Sequence, residues 1–434
     1  RAELHRRVAA AIESRDPAAA DENAALIAEH LEAAGDLHAA FGWHMRAATW
    51  SGHRDITAAR VGWERARQIA DALPDDDPGR LSMRIAPRTL LCGTASRVHV
   101  DISGARFEEL RQLCAEAGDK ASLAIGMTGL AREHLVHGRV REASRLADEI
   151  AVLVESVGDP SLTVGLSIPP IFMKGLVGEV TEALRWSQTA IDLADGDPTK
   201  GNFVFGSPLA MALALRGITR SALGLPGWHD DFDRAVVMAR KADPLSHAMV
   251  ITYTYQGGIP NRVLLADDAA LRDSEEALQI AERSGDDFAL GLARFTLGGV
   301  LVHRDSPAEC ERGLEVLGQV RDMCLHGRLY VFMLPTVDVL TARQQARRGD
   351  RDAKLSLLRE AVDNLFLTGQ FEVCVPATGV LVETLLDRAA DGDVAEAEAA
   401  IDRLADVPIE EGLVDTRHLA TAAAGAPGAG SRRC

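Results

Sequence analysis

The side chains best suited to recognition chemistry lie together in residues 251–262. Tyr253 and Tyr255 are two of the three tyrosines in the chain, and Arg262 lies shortly after a pair of glycines. Tyrosine and arginine anchor many recognition surfaces. This stretch is therefore our first candidate for binding a ligand or partner, and a structural role is the alternative. Its alternating Thr and Tyr indicate a short extended or irregular segment that interrupts the surrounding repeat.

Two other groups of aromatic residues could contact a ligand. Phe203 and Phe205 lie between Asn202 and Ser207 and predict a similar loop, which we add to the candidate binding site. Trp43 and Trp50 are seven residues apart and share one face of a helix. For these tryptophans we expect packing in the core or at an interface rather than stacking on a ligand.

Residues that could support catalysis or bind a metal do not form a recognised pattern. His134 and His137 are spaced i, i+3, whereas zinc-protease helices require i, i+4 with a glutamate between the histidines. The six cysteines include no Cys-x-x-Cys pair, and a helix carrying both Cys310 and Cys324 would separate them by roughly 21 Å. We therefore expect no catalytic centre, metal or cofactor in this chain, and we expect reduced thiols.

Charge and hydropathy limit the partners. The chain has 434 residues with 64 acidic and 47 basic side chains, which gives a net charge of −17. Nucleic acid is not expected as a partner, because phosphate backbones are bound by an excess of Lys and Arg. No stretch approaches 18 uninterrupted apolar residues and no signal peptide is evident, so we expect a cytoplasmic protein without a membrane partner. Because the chain begins at Arg1, we expect it to be part of a longer product.

A repeated phrase indicates the elements that position these residues. Gly-Asp begins at Gly118, Gly158, Gly196 and Gly285, and a related Ala-Asp-Pro begins at Ala242. Successive phrases are roughly 38 to 46 residues apart, the period of helical-hairpin repeats. Glycine ends one helix in a left-handed conformation and aspartate caps the next, so each phrase is expected to end one helix and begin another.

The resulting fold prediction is an all-α, right-handed α-solenoid of tetratricopeptide-like hairpins, with roughly 18 to 21 helices in nine or ten pairs. Residues 1–50 would form junction helices and the first repeat, residues 51–418 the solenoid, and residues 419–434 a disordered tail rich in Ala, Gly and Ser. The apolar stripe of residues 140–157 predicts an outer helix, as does the segment around Leu271. Asp-Pro or Ser-Pro pairs predict helix starts at Asp16, Asp77, Asp159, Asp197, Ser207, Asp243 and Ser306.

Prolines also recur inside apolar stretches. Two interpretations are open, since each proline could kink an inner helix and set the curvature of the concave wall, or could begin an inner helix after a longer loop. The prolines concerned are Pro87, Pro169, Pro170, Pro208, Pro260, Pro335 and Pro376.

The N-terminal fifty residues resemble a known family. Residues 4–9 and 25–36, with the phrase Ala28-Glu29-His30-Leu31-Glu32-Ala33-Ala34-Gly35-Asp36, look like the junction where the ATPase module of STAND-type signalling ATPases meets its helical repeats. Similar junctions occur in large LuxR-type regulators and in actinobacterial fusions of a nucleotide cyclase to an ATPase. The resemblance implies that His30 packs in the first repeat. The phosphate-binding loop of the family is missing from this sequence, so its nucleotide site is not expected here.

These observations favour a non-catalytic sensor or scaffold whose concave face binds a protein segment or small effector. The resemblance implies that binding would modulate an ATPase or an adenylate or guanylate cyclase, in cis or in trans. A free-standing interaction scaffold is one alternative. An enzyme with a pocket between kinked inner helices is the other, and buried carboxylates or a perturbed histidine in a closed cavity would support it.

Overall fold

The computed structural model describes residues 1–15, 19–52, 54–95, 104–349 and 351–407. These residues form twenty-one α-helices and no β-strand, which confirms the predicted all-α solenoid. The predicted helix start at Asp16 and the predicted tail, residues 419–434, lie outside the described residues. Within the described part of the chain, no helix has both the length and the apolar character needed to cross a bilayer.

The helices follow one another with short connections. In chain order they are α1 (Ala2–Arg15), α2 (Ala24–Ala33), α3 (Leu37–Ser51), α4 (Ile56–Ala72), α5 (Arg80–Gly93), α6 (Gly104–Ala117), α7 (Lys120–Val136), α8 (Val140–Val157), α9 (Pro160–Leu166), α10 (Ile168–Leu176), α11 (Val180–Ala194), α12 (Pro208–Ala222), α13 (Trp228–Ala239), α14 (Pro244–Gly258), α15 (Asp268–Ser284), α16 (Asp287–Val302), α17 (Pro307–Leu325), α18 (Leu334–Arg347), α19 (Arg351–Thr368), α20 (Phe371–Arg388) and α21 (Asp393–Ala405). A 3₁₀ turn, Val331–Met333, precedes α18.

Inner and outer helices alternate. Inner helices α12, α14 and α16 pack on one another in sequence, and each also packs on the outer helix that follows it. The inner helix α16 buries thirteen of its sixteen residues, whereas the outer helix α15 buries four of seventeen. On α8 the buried positions are Val140, Ala143, Ala147, Ile150 and Val154, which is the predicted single stripe of an outer helix.

The Gly-Asp phrases form helix boundaries at three of the four predicted places. Gly118, Gly158 and Gly285 have φ values of +69°, +68° and +67°, the left-handed conformation that ends a helix. The following aspartates cap α7, α9 and α16 by accepting hydrogen bonds from backbone N–H groups, as with Asp159 and the Leu162 amide at 2.8 Å. The chemistry of each boundary is therefore local, as the sequence predicts.

The fourth phrase does not begin a helix, and the prediction is wrong at Gly196. The Asp197 carboxylate accepts a 2.8 Å hydrogen bond from the Thr199 amide in a turn, and the next helix, α12, begins only at Pro208. The intervening loop packs on α9, where Gly201 is so close to Gly165 that a Cβ on either glycine would clash with the backbone of the other. Tertiary packing of this loop replaces the expected helix start.

The prolines divide between the two interpretations. Pro87 and Pro376 lie inside α5 and α20, where each removes a backbone hydrogen bond. Pro208 and Pro335 occupy the first turn of their helices, as do Pro169 and Pro170, which begin α10 directly after α9 ends. Pro260 follows the end of α14. Most of these prolines therefore start helices, and two interrupt them.

Small residues and buried ion pairs fix the helix spacing. An added Cβ on Gly129 of α7 would clash with the Cys92 carbonyl oxygen of α5, so these two helices are in backbone contact. Between α12 and α13, the Arg216 guanidinium donates to both oxygens of Asp231, with Nε 3.0 Å from Oδ2. Asp231 also accepts a 2.9 Å bond from Arg220, and its side chain is 1% exposed.

The coil curls far enough for distant repeats to touch. Helix α7 contacts the 3₁₀ turn before α18, and α10 contacts α20. The Arg132 Nε donates a 2.9 Å hydrogen bond to the Tyr330 hydroxyl, and the Arg141 Nη2 donates a 3.2 Å bond to the Leu367 carbonyl. Residues about two hundred positions apart in sequence are thus direct neighbours across the inner face.

Candidate functional site

The curled inner helices surround a cavity of about 620 Å³, here called the central cavity. Its wall is built principally from α7, α10, α12, α14, α16, α18 and α20. Small-molecule sites in proteins have volumes of roughly 300 to 1,000 Å³. The inner face of the coil therefore carries a pocket of small-molecule size, to which repeats from both sides of the curl contribute.

Aromatic rings are concentrated on the cavity wall. The Phe172 ring centroid lies 5.8 Å from that of Tyr253 and 6.1 Å from that of Phe332, and Tyr330 lies 5.3 Å from Phe332. The chain has eleven Phe and three Tyr, and six of these fourteen residues line the cavity. They are Phe172, Phe205, Phe295, Phe332, Tyr253 and Tyr330. Such a wall favours an apolar ligand, which gains burial and ring contacts.

Arg132 places a buried cation on this wall. The residue is 5% exposed, and its guanidinium carbon lies 4.7 Å from the ring centre of Phe288 and 5.7 Å from that of Phe205. Its Nε donates to Tyr330, whereas Nη1 and Nη2 have no hydrogen-bond acceptor among the described residues. An unsatisfied buried donor costs roughly 1–3 kcal/mol, and more when it is charged. A ligand that supplied an acceptor here would remove that cost.

Glu372 and Tyr253 add two ionisable groups. Burial raises the pKa of the Glu372 carboxyl from its ordinary 4.5 to about 7, since desolvation disfavours the carboxylate. Burial also raises the pKa of the Tyr253 hydroxyl far above its usual range, and the neighbouring Tyr330 and Glu372 raise it further. Both side chains keep part of their surface accessible, and both line the cavity. A carboxyl group that titrates near neutral pH can donate or accept a hydrogen bond there.

The central cavity meets solvent beside Arg262 and Glu383. The Arg262 side chain is 78% exposed, and its Nη2 lies 2.6 Å from the Glu383 Oε1. Arg343 Nη2 lies 3.6 Å from the other Glu383 oxygen, and burial lowers the pKa of Arg343. Burial also lowers the pKa of His303 on this wall to about 4, so its imidazole is neutral at pH 7.

The structure brings three of the five predicted binding residues to this cavity. Tyr253, Phe205 and Arg262 line it, and Tyr255 and Phe203 do not. Tyr255 is 9% exposed and its hydroxyl donates a 2.6 Å bond to Asp273 of α15.

The predicted extended or irregular segment at residues 251–258 is wrong, because these residues belong to α14. In a helix, side chains two residues apart are rotated by about 200° around the helix axis, so the two tyrosines face different sides. The loop predicted around Phe203 and Phe205 is present between α11 and α12. Phe205 is buried in it, and Phe203 is 39% exposed with its ring beside Gly165.

Three cavity residues have only weak sequence signals. Arg132 is a lone cation within a largely apolar stretch of α7, a pattern that a snorkelling surface arginine would also give. Tyr330 is the third tyrosine of the chain, yet it lies far in sequence from the other two. Glu372 stands near the start of α20, where an acidic residue is common for helix-dipole reasons alone.

The histidines and cysteines considered in the sequence analysis have structural rather than catalytic environments. His134 lies in the last turn of α7 and His137 follows the helix as its C-cap. Among the described residues, no cluster of three or more His, Cys, Asp and Glu could bind a metal. Cys310 and Cys324 are both on α17 and are free thiols, as their spacing predicts. His30 packs against His5 of α1, with 3.1 Å between the Nδ1 atoms.

Comparison with known proteins identifies no family. No family model matches the chain, and no curated protein matches it. Among solved structures, the chain is similar to a STAND protein with a tetratricopeptide repeat sensor from Pyrococcus horikoshii, at 12% identity and a TM-score of 0.34. The match covers 89% of this chain and 54% of that protein, so the chain spans about half the length of this neighbour. A likeness at this level carries no argument about this chain.

Proposed function

We propose that this chain is a non-catalytic sensor region that binds a small apolar effector in the central cavity, and that binding modulates an attached or associated ATPase or nucleotide cyclase. The observation that carries the proposal is a cavity of about 620 Å³ lined by residues from Thr128 to Glu383. A cavity of this size suits a small molecule better than a protein segment, which would need a longer open groove.

Signalling would follow from the position of the cavity. A bound molecule would contact α7 and α10 on one side and α18 and α20 on the other, because all four helices contribute to the wall. These helices belong to repeats that touch only when the coil is curled. A ligand that binds the curled arrangement more tightly than an opened one shifts the population toward it by the difference in binding free energy. That change in curvature would be the output passed to a neighbouring module.

Binding is tested with the neutral fluorophore N-phenyl-1-naphthylamine and a pair of matched variants. Gly175 lies on the cavity wall, and an added Cβ there would meet nothing within 4 Å, so the side chain of Gly175→Phe starts in open space and occupies part of the cavity. Gly318 is an exposed residue of α17 with equally open space, and Gly318→Phe makes the same change away from the cavity. Both substitutions remove a helix glycine, so stability is expected to be retained.

We expect the wild-type protein and Gly318→Phe to bind the probe with equal affinity, and Gly175→Phe to lose saturable binding. Equal binding by all three proteins would place the probe elsewhere and would overturn the proposal. Absence of saturable binding to the wild-type protein would do the same.

The regulatory half of the proposal has its own test. If the chain is the sensor of a STAND-type protein, the coding sequence upstream of Arg1 contains a Gly-x-x-x-x-Gly-Lys-Ser/Thr phosphate loop. With those modules attached, the probe would change the rate of ATP hydrolysis or of cyclic nucleotide formation, and Gly175→Phe would abolish the change. An upstream sequence without such a loop or a cyclase domain would favour the free-standing scaffold.

An acid–base enzyme is the second candidate, and Glu372 is the observation that favours it. A carboxyl group with a pKa of about 7 in a cavity can transfer protons at neutral pH. His303 on the same wall is a perturbed histidine of the kind expected in an enzyme, although its pKa of about 4 makes it a weak base at pH 7, and Glu383 is paired with Arg262. Mass spectrometry of a bound compound after prolonged incubation separates the two functions, because an effector is recovered unchanged and a substrate is not.

A further inference from the structure

We propose that the effector of the central cavity is an apolar organic acid whose anionic group binds the Arg132 guanidinium. The inference rests on the proposed function, and it adds the chemical class of the ligand. It is carried by the unsatisfied donors of Arg132 and by the excess of basic over acidic groups on the cavity wall.

The contacts of Arg132 leave two of its nitrogen atoms without an acceptor, as in an anion-binding site that lacks its anion. Tyr330 occupies only its Nε, at 2.9 Å, and the rings of Phe288 and Phe205 flank the guanidinium. Nη1 and Nη2 therefore remain without an acceptor, but protein atoms cover them, so a ligand oxygen reaches them only when the covering side chains shift. A guanidinium exposed in this way binds a carboxylate through two parallel hydrogen bonds. Because the side chain is 95% buried, such bonds would form away from bulk water and would be correspondingly strong.

The charged groups on the cavity wall also favour an anionic ligand. Arg132, Arg262 and Arg343 are the basic groups, and Glu372 and Glu383 are the acidic ones. Glu383 is already bound by two of the arginines, at 2.6 and 3.6 Å. Burial keeps a large share of Glu372 protonated at neutral pH, since its pKa is about 7. The cavity is thus locally positive within a chain of net charge −17.

The other residues of the cavity wall determine the chemistry of the non-acidic part of the ligand, here called its body. Ring contacts among Phe172, Tyr253 and Phe332 form a continuous aromatic surface, and Ile168, Leu215 and Met249 add aliphatic side chains. An apolar body gains free energy by burial against these residues, whereas a strongly polar body would lose hydration without compensation. An apolar acid satisfies both the wall and Arg132.

Two probes that differ by one acid group separate this inference from the proposed function. 8-Anilinonaphthalene-1-sulfonate has the frame of N-phenyl-1-naphthylamine with an added sulfonate. We expect the wild-type protein to bind the sulfonate at least about tenfold more tightly than the neutral probe, the effect of a buried hydrogen bond to a charged group. Arg132→Met should abolish that preference, so that the ratio of the two affinities in this variant falls to about one.

Control variants distinguish site chemistry from net charge and folding. Arg312→Met removes a cation from the exposed pair with Glu275 on the outer surface and should leave both affinities unchanged. Arg132→Lys keeps the cation without the two-pronged donor and should retain part of the preference. If circular dichroism shows that Arg132→Met is unfolded, two measurements still test the inference. They are the preference of the wild-type protein for the sulfonate over the neutral probe, and the reduced preference expected for Arg132→Lys.

The outcomes are separable. Equal binding of the two probes by the wild-type protein, or a preference that survives in folded Arg132→Met, overturns the anion inference and leaves the proposed function intact. Failure of both probes to bind the wild-type protein overturns both. Competition by a long-chain fatty acid and by an aromatic carboxylate, each against its methyl ester, then shows which apolar body the cavity accepts.

Discussion

Glu372→Gln should remove a pH-dependent loss of stability. The pKa of this carboxyl is about 7 in the folded protein, against an ordinary value of 4.5. Because the folded value is the higher one, Glu372 contributes its stabilisation fully below pH 4.5, and that contribution is lost as pH rises through about 7. Above that pH the folded protein must hold a desolvated carboxylate on the cavity wall.

The size of the effect follows from the two pKa values. One pKa unit corresponds to about 1.36 kcal/mol, so the rise from 4.5 to about 7 corresponds to roughly 3 kcal/mol. The cavity leaves part of the side chain accessible, which makes this figure an upper value. Glutamine keeps the shape and stays neutral. About one pKa unit of the shift is already lost at pH 5.5, so the variant should gain up to about 2 kcal/mol relative to wild type between pH 5.5 and pH 8.5.

Other charged groups on the cavity wall would modify the profile without reversing it. Arginines on the wall favour the carboxylate and reduce the effect, and Glu383 opposes ionisation. The histidine has a pKa of about 4 and is neutral across the range concerned. These groups are Arg132 on α7, Arg262 after α14, His303 after α16, and Arg343 and Glu383 on α18 and α20.

Urea unfolding at pH 5.5, 7.0 and 8.5 tests the prediction. The free energy of unfolding is compared between wild type and Glu372→Gln at each pH. Glu311→Gln is the control, because Glu311 is exposed on the outer helix α17. A difference between wild type and Glu372→Gln that is constant across the three pH values would refute the reasoning, since it would show that Glu372 titrates alike in both states.

Three further substitutions test the packing and the cavity opening. Asp231→Asn should lower the free energy of unfolding by about 3–5 kcal/mol in urea titrations, because it leaves Arg216 buried without its counter-ion. Gly129→Ala should lower the melting temperature through a loss of about 1–3 kcal/mol, because the added methyl forces α7 away from Cys92 of α5. Arg262→Ala should raise the dissociation rate of N-phenyl-1-naphthylamine about fivefold in stopped-flow displacement, with less than about 1 kcal/mol change in stability, because it removes an exposed ion pair at the cavity opening.

Each of these has a matched control. Asp230→Asn changes an exposed neighbour of Asp231, and Gly318→Ala adds the same methyl group where nothing obstructs it, so neither should destabilise the fold. Arg312→Ala removes an exposed ion pair far from the cavity and should leave probe dissociation unchanged. Equal effects of a substitution and its control would show that the contact named for it is not the cause.

The helix boundaries were predictable because they depend on local chemistry. A glycine with positive φ followed by a capping aspartate ends one helix and begins the next, whatever the rest of the chain does, as at Gly158 and Asp159. The same rule failed at Gly196, where packing of the following loop on Gly165 decides the conformation. Local signals are therefore reliable until a tertiary contact competes for the same residues.

The cavity was not predictable, because it depends on how far the coil curls. Arg132 and Tyr330 are 198 positions apart, and their contact depends on the accumulated rotation of every repeat between them. The prediction for the backbone at Tyr253 and Tyr255 was wrong for a simpler reason. The alternation of Thr and Tyr predicts a short extended or irregular segment, yet the segment is helical, so Tyr253 reaches the cavity and Tyr255 packs against α15.

The bonds that join distant repeats, such as Arg141 to Leu367, have a consequence for how the chain folds. An open array of repeats can nucleate anywhere and unravel from its ends, because each unit is held only by its neighbours. Contacts between sequence-distant units must wait for the intervening chain to be ordered, which slows assembly and raises contact order. Once made, they tie the C-terminal repeats to the middle of the chain, so residues 120–388 should melt in fewer, sharper steps than a linear array of equal length.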